Sequence, residues 1–131
     1  MILIIKTYKR ETAKLYLGEF VLVLARMTVW HFKKDKCQEG FLELDLILST
    51  LAHQTEGFRG SISMLSPNDP NSAKILTLWV DEEALNRSEK EVFAQAFKKV
   101  QDLLDSPPQV ENYAVFSTEM FQRSRLPFRC G

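Results

Sequence analysis

Three residues in this chain set a chemically useful side chain in an apolar run. Trp79 ends the segment Lys74-Ile75-Leu76-Thr77-Leu78-Trp79, where an indole offers a flat face for stacking on a planar ring and one N–H donor. Arg26 lies inside Phe20-Val21-Leu22-Val23-Leu24-Ala25-Arg26-Met27-Thr28-Val29-Trp30. A guanidinium buried in such a run must find an acceptor, either a carboxylate on a neighbouring element or an oxyanion on a bound ligand. His31 follows at the end of that run and carries an imidazole that could act as a general base, although no acid or nucleophile adjoins it in sequence. Met64 could pack on a planar ligand, and Asn86, Arg87 and Tyr113 could line the mouth of a cavity. These are the candidate substrate-binding residues beside a catalytic set of Trp79, Arg26 and His31. No Ser-His-Asp spacing, glycine-rich phosphate loop or metal-ligand spacing occurs, so no metal is expected. Cys37 falls in a helical stretch and Cys130 one residue from the end, which is neither a ligand cluster nor a disulfide framework.

The elements that must hold these residues can be read from pattern. The run from Phe20 to Trp30 is strand-like, and the positions Phe41, Leu44, Leu48, Leu51 and Ala52 fall on one helical stripe after Asp35, a candidate N-cap. Gly57 suits a left-handed helix end. A second strand runs from Phe58 to Leu65 and a third from Ala73 to Val80, with Ser66 to Ser72 between them read as a loop. Asp81, Glu82 and Glu83 start a short helical turn. Ser88 with Glu91 reads as a capping box for a longer helix whose stripe is Val92, Phe93, Ala96, Phe97, Val100 and Leu104. Pro107 and Pro108 are read as its end, and Tyr113 to Phe116 as the last strand. The order is β-α-β-β-α-β, an α+β, ferredoxin-like antiparallel sheet with helices on one face. Residues 20–117 form that domain, residues 1–19 an N-terminal arm or extra strand, and residues 118–131 a tail.

Both faces of the strands are apolar. In the first, Val21, Val23 and Ala25 oppose Leu22, Leu24 and Trp30; in the third, Ile75 and Trp79 oppose Leu76 and Leu78. Helices cover one face only, so the pattern predicts a homodimer packed sheet to sheet, with folding of the N-terminal arm over that face as the alternative. The 131 residues suffice for one domain, and 17 basic against 17 acidic residues leave no global field to hold nucleic acid or an anionic membrane. The opening Met1-Ile2-Leu3-Ile4-Ile5 is too short for a membrane span or signal core, and the expected location is cytoplasmic.

The segments Glu56-Gly57-Phe58-Arg59-Gly60, Lys74 to Trp79, Asp81-Glu82-Glu83-Ala84-Leu85 and Val92-Phe93 stand in the order found in the antibiotic-biosynthesis monooxygenase family, which the chain resembles from about Phe20 to Phe116. The resemblance implies a dimeric α+β barrel and cofactor-independent oxygenation of a small aromatic or quinol-like substrate that itself activates dioxygen. The same fold holds haem-degrading enzymes. Here Ala25 stands where their strand Asn would be, Phe97 where their helix His would be, and Arg87 or Ser88 near their Trp, so that activity is disfavoured. From Ala73 to Leu78 there is also no Asn of the kind some cofactor-free members use. These departures support the alternative of a non-catalytic dimeric module binding a hydrophobic metabolite or a partner protein.

Overall fold

The computed structural model of the chain describes residues 2–6 and 23–118, with side chains for residues 23–115. Five antiparallel strands form one sheet in the order β1-β5-β2-β4-β3. They are β1 (Ile2–Lys6), β2 (Val23–Phe32), β3 (Phe58–Ser66), β4 (Asp69–Trp79) and β5 (Leu104–Thr118). Helix α1 (Cys37–Ile47) runs into a π-helical turn, Leu48–Ala52. Helix α2 (Glu82–Ser88), a second π-helical turn (Glu89–Phe93) and α3 (Ala94–Val100) form the other helical run. Strands β2 to β5 with these helices on one side make the ferredoxin-like α+β fold expected from the element order.

The helices form where their stripes can be buried. Leu44, Ile47, Leu48 and Ala52 from the first run, and Val92, Ala96 and Val100 from the second, meet Leu24, Trp30, Phe32, Ile75 and Trp79 of the sheet in the main core. Asp81 caps α2 by accepting from the Ala84 N–H at 2.8 Å, with Glu82 and Glu83 in the first turn favoured by the helix dipole. On the opposite sheet face Ala25, Leu76 and Val115 are buried, with Val23, Met27, Leu78 and Tyr113 packed against them. The two-faced apolar sheet is therefore real.

Several local expectations change. Residues Ser66 to Ser72 are not a loop: β3 and β4 are joined by the two-residue turn Pro67-Asn68, and the rest of the segment is strand. Turn-type side chains on a hairpin's exposed end mimic a loop in sequence. The last strand begins at Leu104, far before Tyr113, and contains Pro107 and Pro108. The ladder between β2 and β5 shifts register between Val29 and His31, opposite these prolines, which is where residues lacking an N–H are tolerated. Asp35 adopts a left-handed φ of 68° and caps nothing; Lys36 precedes α1 without a side-chain cap. Ser88 begins no new helix, because the helical backbone continues through it. Ile2–Lys6 pairs with β5 at the sheet edge. Phe20 to Leu22, the remainder of the N-terminal arm, and the tail with Cys130 lie outside the described residues.

Gly57 joins the helix layer to β3 with φ of 91°, and a Cβ there would stand 2.5 Å from the Ala84 Cβ and 2.9 Å from Val80 Cγ1. Gly60 has φ of 142° but open space around its Cα. Gly57→Ala should lower unfolding free energy by about 2 kcal/mol or more, since strain and overpacking add, and Gly60→Ala by clearly less. Urea denaturation midpoints measure both; equal losses would mean that the contact with Ala84 and Val80 constrains nothing.

Candidate functional site

Two identical units lie side by side on the helix-facing surface of the sheet. In Thr28-Val29-Trp30 on β2 and Thr77-Leu78-Trp79 on β4, alternation places Thr and Trp on one face two residues apart. Each indole donates back to its own threonine: Trp30 Nε1 to Thr28 Oγ1 at 2.8 Å, and Trp79 Nε1 to Thr77 Oγ1 at 2.9 Å. Each hydroxyl then donates across the strands, Thr28 Oγ1 to the Ile75 carbonyl at 3.4 Å and Thr77 Oγ1 to the Arg26 carbonyl at 3.5 Å. Trp30 leans on Phe93 at 5.5 Å between ring centroids, and Trp79 meets Phe58 edge to face at 5.2 Å.

Arg26 lies on the same face, 3% exposed, and its fork is held from three elements. Nε donates to Asn112 Oδ1 of β5 at 3.2 Å, Nη1 to Ser88 Oγ at 2.8 Å, and Nη2 to the Leu85 carbonyl at 3.3 Å and to Glu89 Oε1 at 3.2 Å. Ser88 passes its own proton to the Leu85 carbonyl at 2.5 Å. Four of the five N–H groups are thus engaged, and the second Nη1 hydrogen has no acceptor among the described residues. Burial pulls the guanidinium pKa down while Glu89 opposes the shift, so the group stays cationic. The ion pair expected from sequence exists, and its carboxylate partner is itself 60% exposed.

Between these layers lies a cavity of about 40 Å³. Arg26, Thr28, Trp30, Ile75, Thr77 and Trp79 form its floor; Leu44, Ile47 and Leu48 form one wall, and Ser88, Val92, Phe93 and Ala96 the other. Both π-helical turns contribute to the walls, through Leu48 on one side and Val92 and Phe93 on the other. Such turns recur at functional sites. Among the described residues the lining holds no carboxylate, imidazole, thiol or phenol.

The structure brings Arg26 and Trp79 together, and adds Trp30, Thr28, Thr77 and Ser88, which sequence reasoning passed over. The repeated Thr-x-Trp was the signal that could have found three of these four, all but Ser88. The other candidates lie elsewhere. Met64 is exposed on β3, opposite Lys74. Asn86 is exposed on α2. Arg87 pairs with Glu83 at 3.9 Å and donates to the Glu56 carbonyl at 3.0 Å. Tyr113 packs on the second sheet face and donates to Glu111 Oε2 at 2.5 Å; that bond pushes its pKa up.

His31 is outside the cavity lining, but it is not solitary. Its Nδ1 lies 2.9 Å from Ser72 Oγ, whose proton goes to Asp69 Oδ2 at 2.6 Å. The Ser72 oxygen is left to accept, which puts the imidazole proton on Nδ1 and leaves Nε2 as the basic nitrogen. The Ser72 bond first, and then the Asn71 N–H and the nearby imidazole, hold the Asp69 carboxyl below its ordinary range, against the opposing effect of desolvation. Burial, and then Asp69, push the Cys37 thiol up and keep it protonated. No group of three metal-ligating side chains occurs, and no helix is long and apolar enough to cross a membrane, among the described residues.

No family model matches the chain, and no curated protein matches it either. Solved structures do. A protein of unknown function from Nitrosomonas europaea superposes with TM-score 0.66 at 16% identity, covering 78% of this chain and 97% of its own. Another protein from that organism, provisionally assigned as an antibiotic biosynthesis monooxygenase, gives 0.63 at 13% identity over 70% and 88%. A variant of SnoaB, a cofactor-independent oxygenase from Streptomyces nogalater, gives 0.57 at 14% identity over 81% and 98%. The chain thus has the fold of the antibiotic-biosynthesis monooxygenases, as its sequence resemblance implied.

A depressed native pKa stabilises the fold above the unfolded pKa, and that contribution is lost as pH falls through the native value. Asp69 should therefore titrate below an ordinary aspartate in wild type, and Ser72→Ala should move it upward. Carboxyl ¹³C NMR across the acidic range measures both, and an unmoved Asp69 would mean that Ser72 does not hold it.

Proposed function

We propose that the chain is a cofactor-independent monooxygenase acting on a small aromatic or quinol-like molecule in the cavity under the helices. The observation that carries this reading is a buried guanidinium with one uncommitted N–H on the floor of a cavity between two indoles, whose lining hydroxyls are already paired. Structural likeness to proteins named as oxygenases supports it. A deprotonated phenol or quinol is electron-rich enough to reduce dioxygen itself, so the protein need only bind it and stabilise its oxyanion. In the net reaction of an anthrone-like phenol, the ring CH₂ of its keto form becomes C=O, one oxygen atom entering the product and the other leaving as water with the two hydrogens. For a quinol, a ring C–H becomes C–OH while the quinol is oxidised to the quinone, the second oxygen atom again leaving as water. Arg26 would hold the oxyanion and Trp79 would stack on the ring. The lining's lack of a base means that the substrate must be acidic enough to ionise without one. His31, with Nε2 free on the opposite sheet face, would serve only a ligand bound there, as would Met64 and Tyr113; Asn86 and Arg87 stay outside both.

A ring needs more room than the cavity has: a void that takes benzene is roughly 150 Å³. Binding therefore requires the walls to part, and the π-helical turns with the exposed Glu89 are the parts that can yield. The absence of acid–base groups from the lining favours a second reading, a binding module without catalysis. We further infer a homodimer, as the family resemblance implies, with the half-buried Met27 and Leu78 beside the buried Ala25, Leu76 and Val115 as the contact on the second sheet face.

Screening quinols and anthrone-like phenols by oxygen uptake separates the readings. On the active compound, Trp79→Phe should raise KM, and Arg26→Lys, which keeps the charge but loses the fork, should lower kcat by about tenfold or more, a loss of oxyanion stabilisation of at least ~1.4 kcal/mol. Oxygen uptake unchanged in both variants removes these roles; fluorescence quenching without uptake supports the binding module. Light scattering should give twice the chain mass, and Leu78→Arg should give monomer; a monomeric wild type would end the dimer inference.

A further inference from the structure

The same cavity has a property that an aromatic ligand does not explain. Four of its lining side chains are polar, yet the three hydroxyls among them are spent. Thr28 Oγ1 accepts from Trp30 and donates to the Ile75 carbonyl; Thr77 Oγ1 accepts from Trp79 and donates to the Arg26 carbonyl. Ser88 Oγ accepts from Arg26 and donates to the Leu85 carbonyl. What faces the void is indole, the Phe93 ring and the side chains of Leu44, Ile75, Val92 and Ala96. A buried water needs two to four polar partners to stay, and one N–H of Arg26 is too few.

Size points the same way. In a void of about 40 Å³, with each water needing roughly 10–15 Å³ by this measure, there is space for a few waters or one small apolar molecule. An apolar void stays dry and takes up such species without forming a hydrogen bond. We propose that the space between Trp30 and Trp79 is a site for a small apolar gas molecule, and that the paired Thr-x-Trp units exist to turn their own polar atoms away from it. Under the monooxygenase reading, on which this choice of ligand rests, the molecule is dioxygen, held on the floor of the cavity that the organic substrate enters when the walls part.

The test uses methyl-labelled full-length protein under xenon pressure, with xenon as the probe. Methyl resonances of Ile75, Leu44 and Val92 should shift saturably, while methyls of the second face such as Leu76 should not. Ala96→Leu fills the void and should abolish the shifts; Val92→Ile is the milder filling should the first variant fold poorly. With an active quinol, the filled variant should raise KM for dioxygen severalfold. No saturable shift in wild type, or shifts that survive both fillings, would overturn the site. Xenon binding without oxygen uptake from any panel compound would uphold the gas site while counting against the monooxygenase reading, so the two can fail separately.

Discussion

A full positive charge inside an apolar layer must be satisfied from wherever the fold can bring acceptors, and in this protein that demand falls on Arg26. Its partners come from β5 and from the end of α2, between 59 and 86 residues further along the chain. Removing any of them leaves a desolvated N–H, so the guanidinium ties the sheet to the helical layer at one point and sets where α2 can end. The Leu85 carbonyl and Ser88 hydroxyl reach it from the last turn of α2. Glu89, on the first residue of that turn, supplies the countercharge from solvent.

The cavity follows from that anchorage. With α2 held down at Arg26 and α1 seated on Leu44 and Ile47, the two helical runs straddle the strip of sheet where β2 and β4 carry Thr-x-Trp. Indoles fill most of that strip, and each satisfies its N–H on its own strand instead of across the layers. The polar content of the lining is thus high by residue type and low by exposed atom. That distinction decides what the void can hold, since an unpaired hydroxyl would have drawn water and a paired one does not.

The opposite face of the sheet obeys a simpler rule. Ala25, Leu76 and Val115 are buried there, and strand alternation makes such a second apolar surface unavoidable once both alternating sets of Val23 to Val29 and Ala73 to Trp79 are largely apolar. A sheet apolar on both sides needs cover on both, and its helices supply it on one. His31, Ser72 and Asp69 line up near the end of that face, with the hairpin carboxylate setting the imidazole tautomer across two strands.

Much of this was legible from residue order. Alternation in Val23 to Trp30 and Ala73 to Trp79, and the stripes through Leu44 and Leu48 and through Val92, Ala96 and Val100, specify strand and helix because burial selects for those periods directly. Two apolar faces and an ion pair for Arg26 follow by the same logic. Other features escaped because their cause is not local. Pro67-Asn68 and the polar residues around it look like a loop unless the hairpin is already paired, and Pro107-Pro108 look like a helix stop unless β5 is known to lie at an interrupted ladder. Ser88 resembles an N-cap by its spacing to Glu91, yet its hydroxyl is claimed by Arg26 from another strand. The sequence by itself determined which faces must be buried and that a charge among them needs a partner, since both depend only on residue type and period. Only the tertiary structure decided that Trp79 and Arg26 share one cavity with Trp30, that its hydroxyls are already paired, and that His31 meets Ser72 and Asp69. Those facts depend on register and layer separation, which no short stretch of chain encodes.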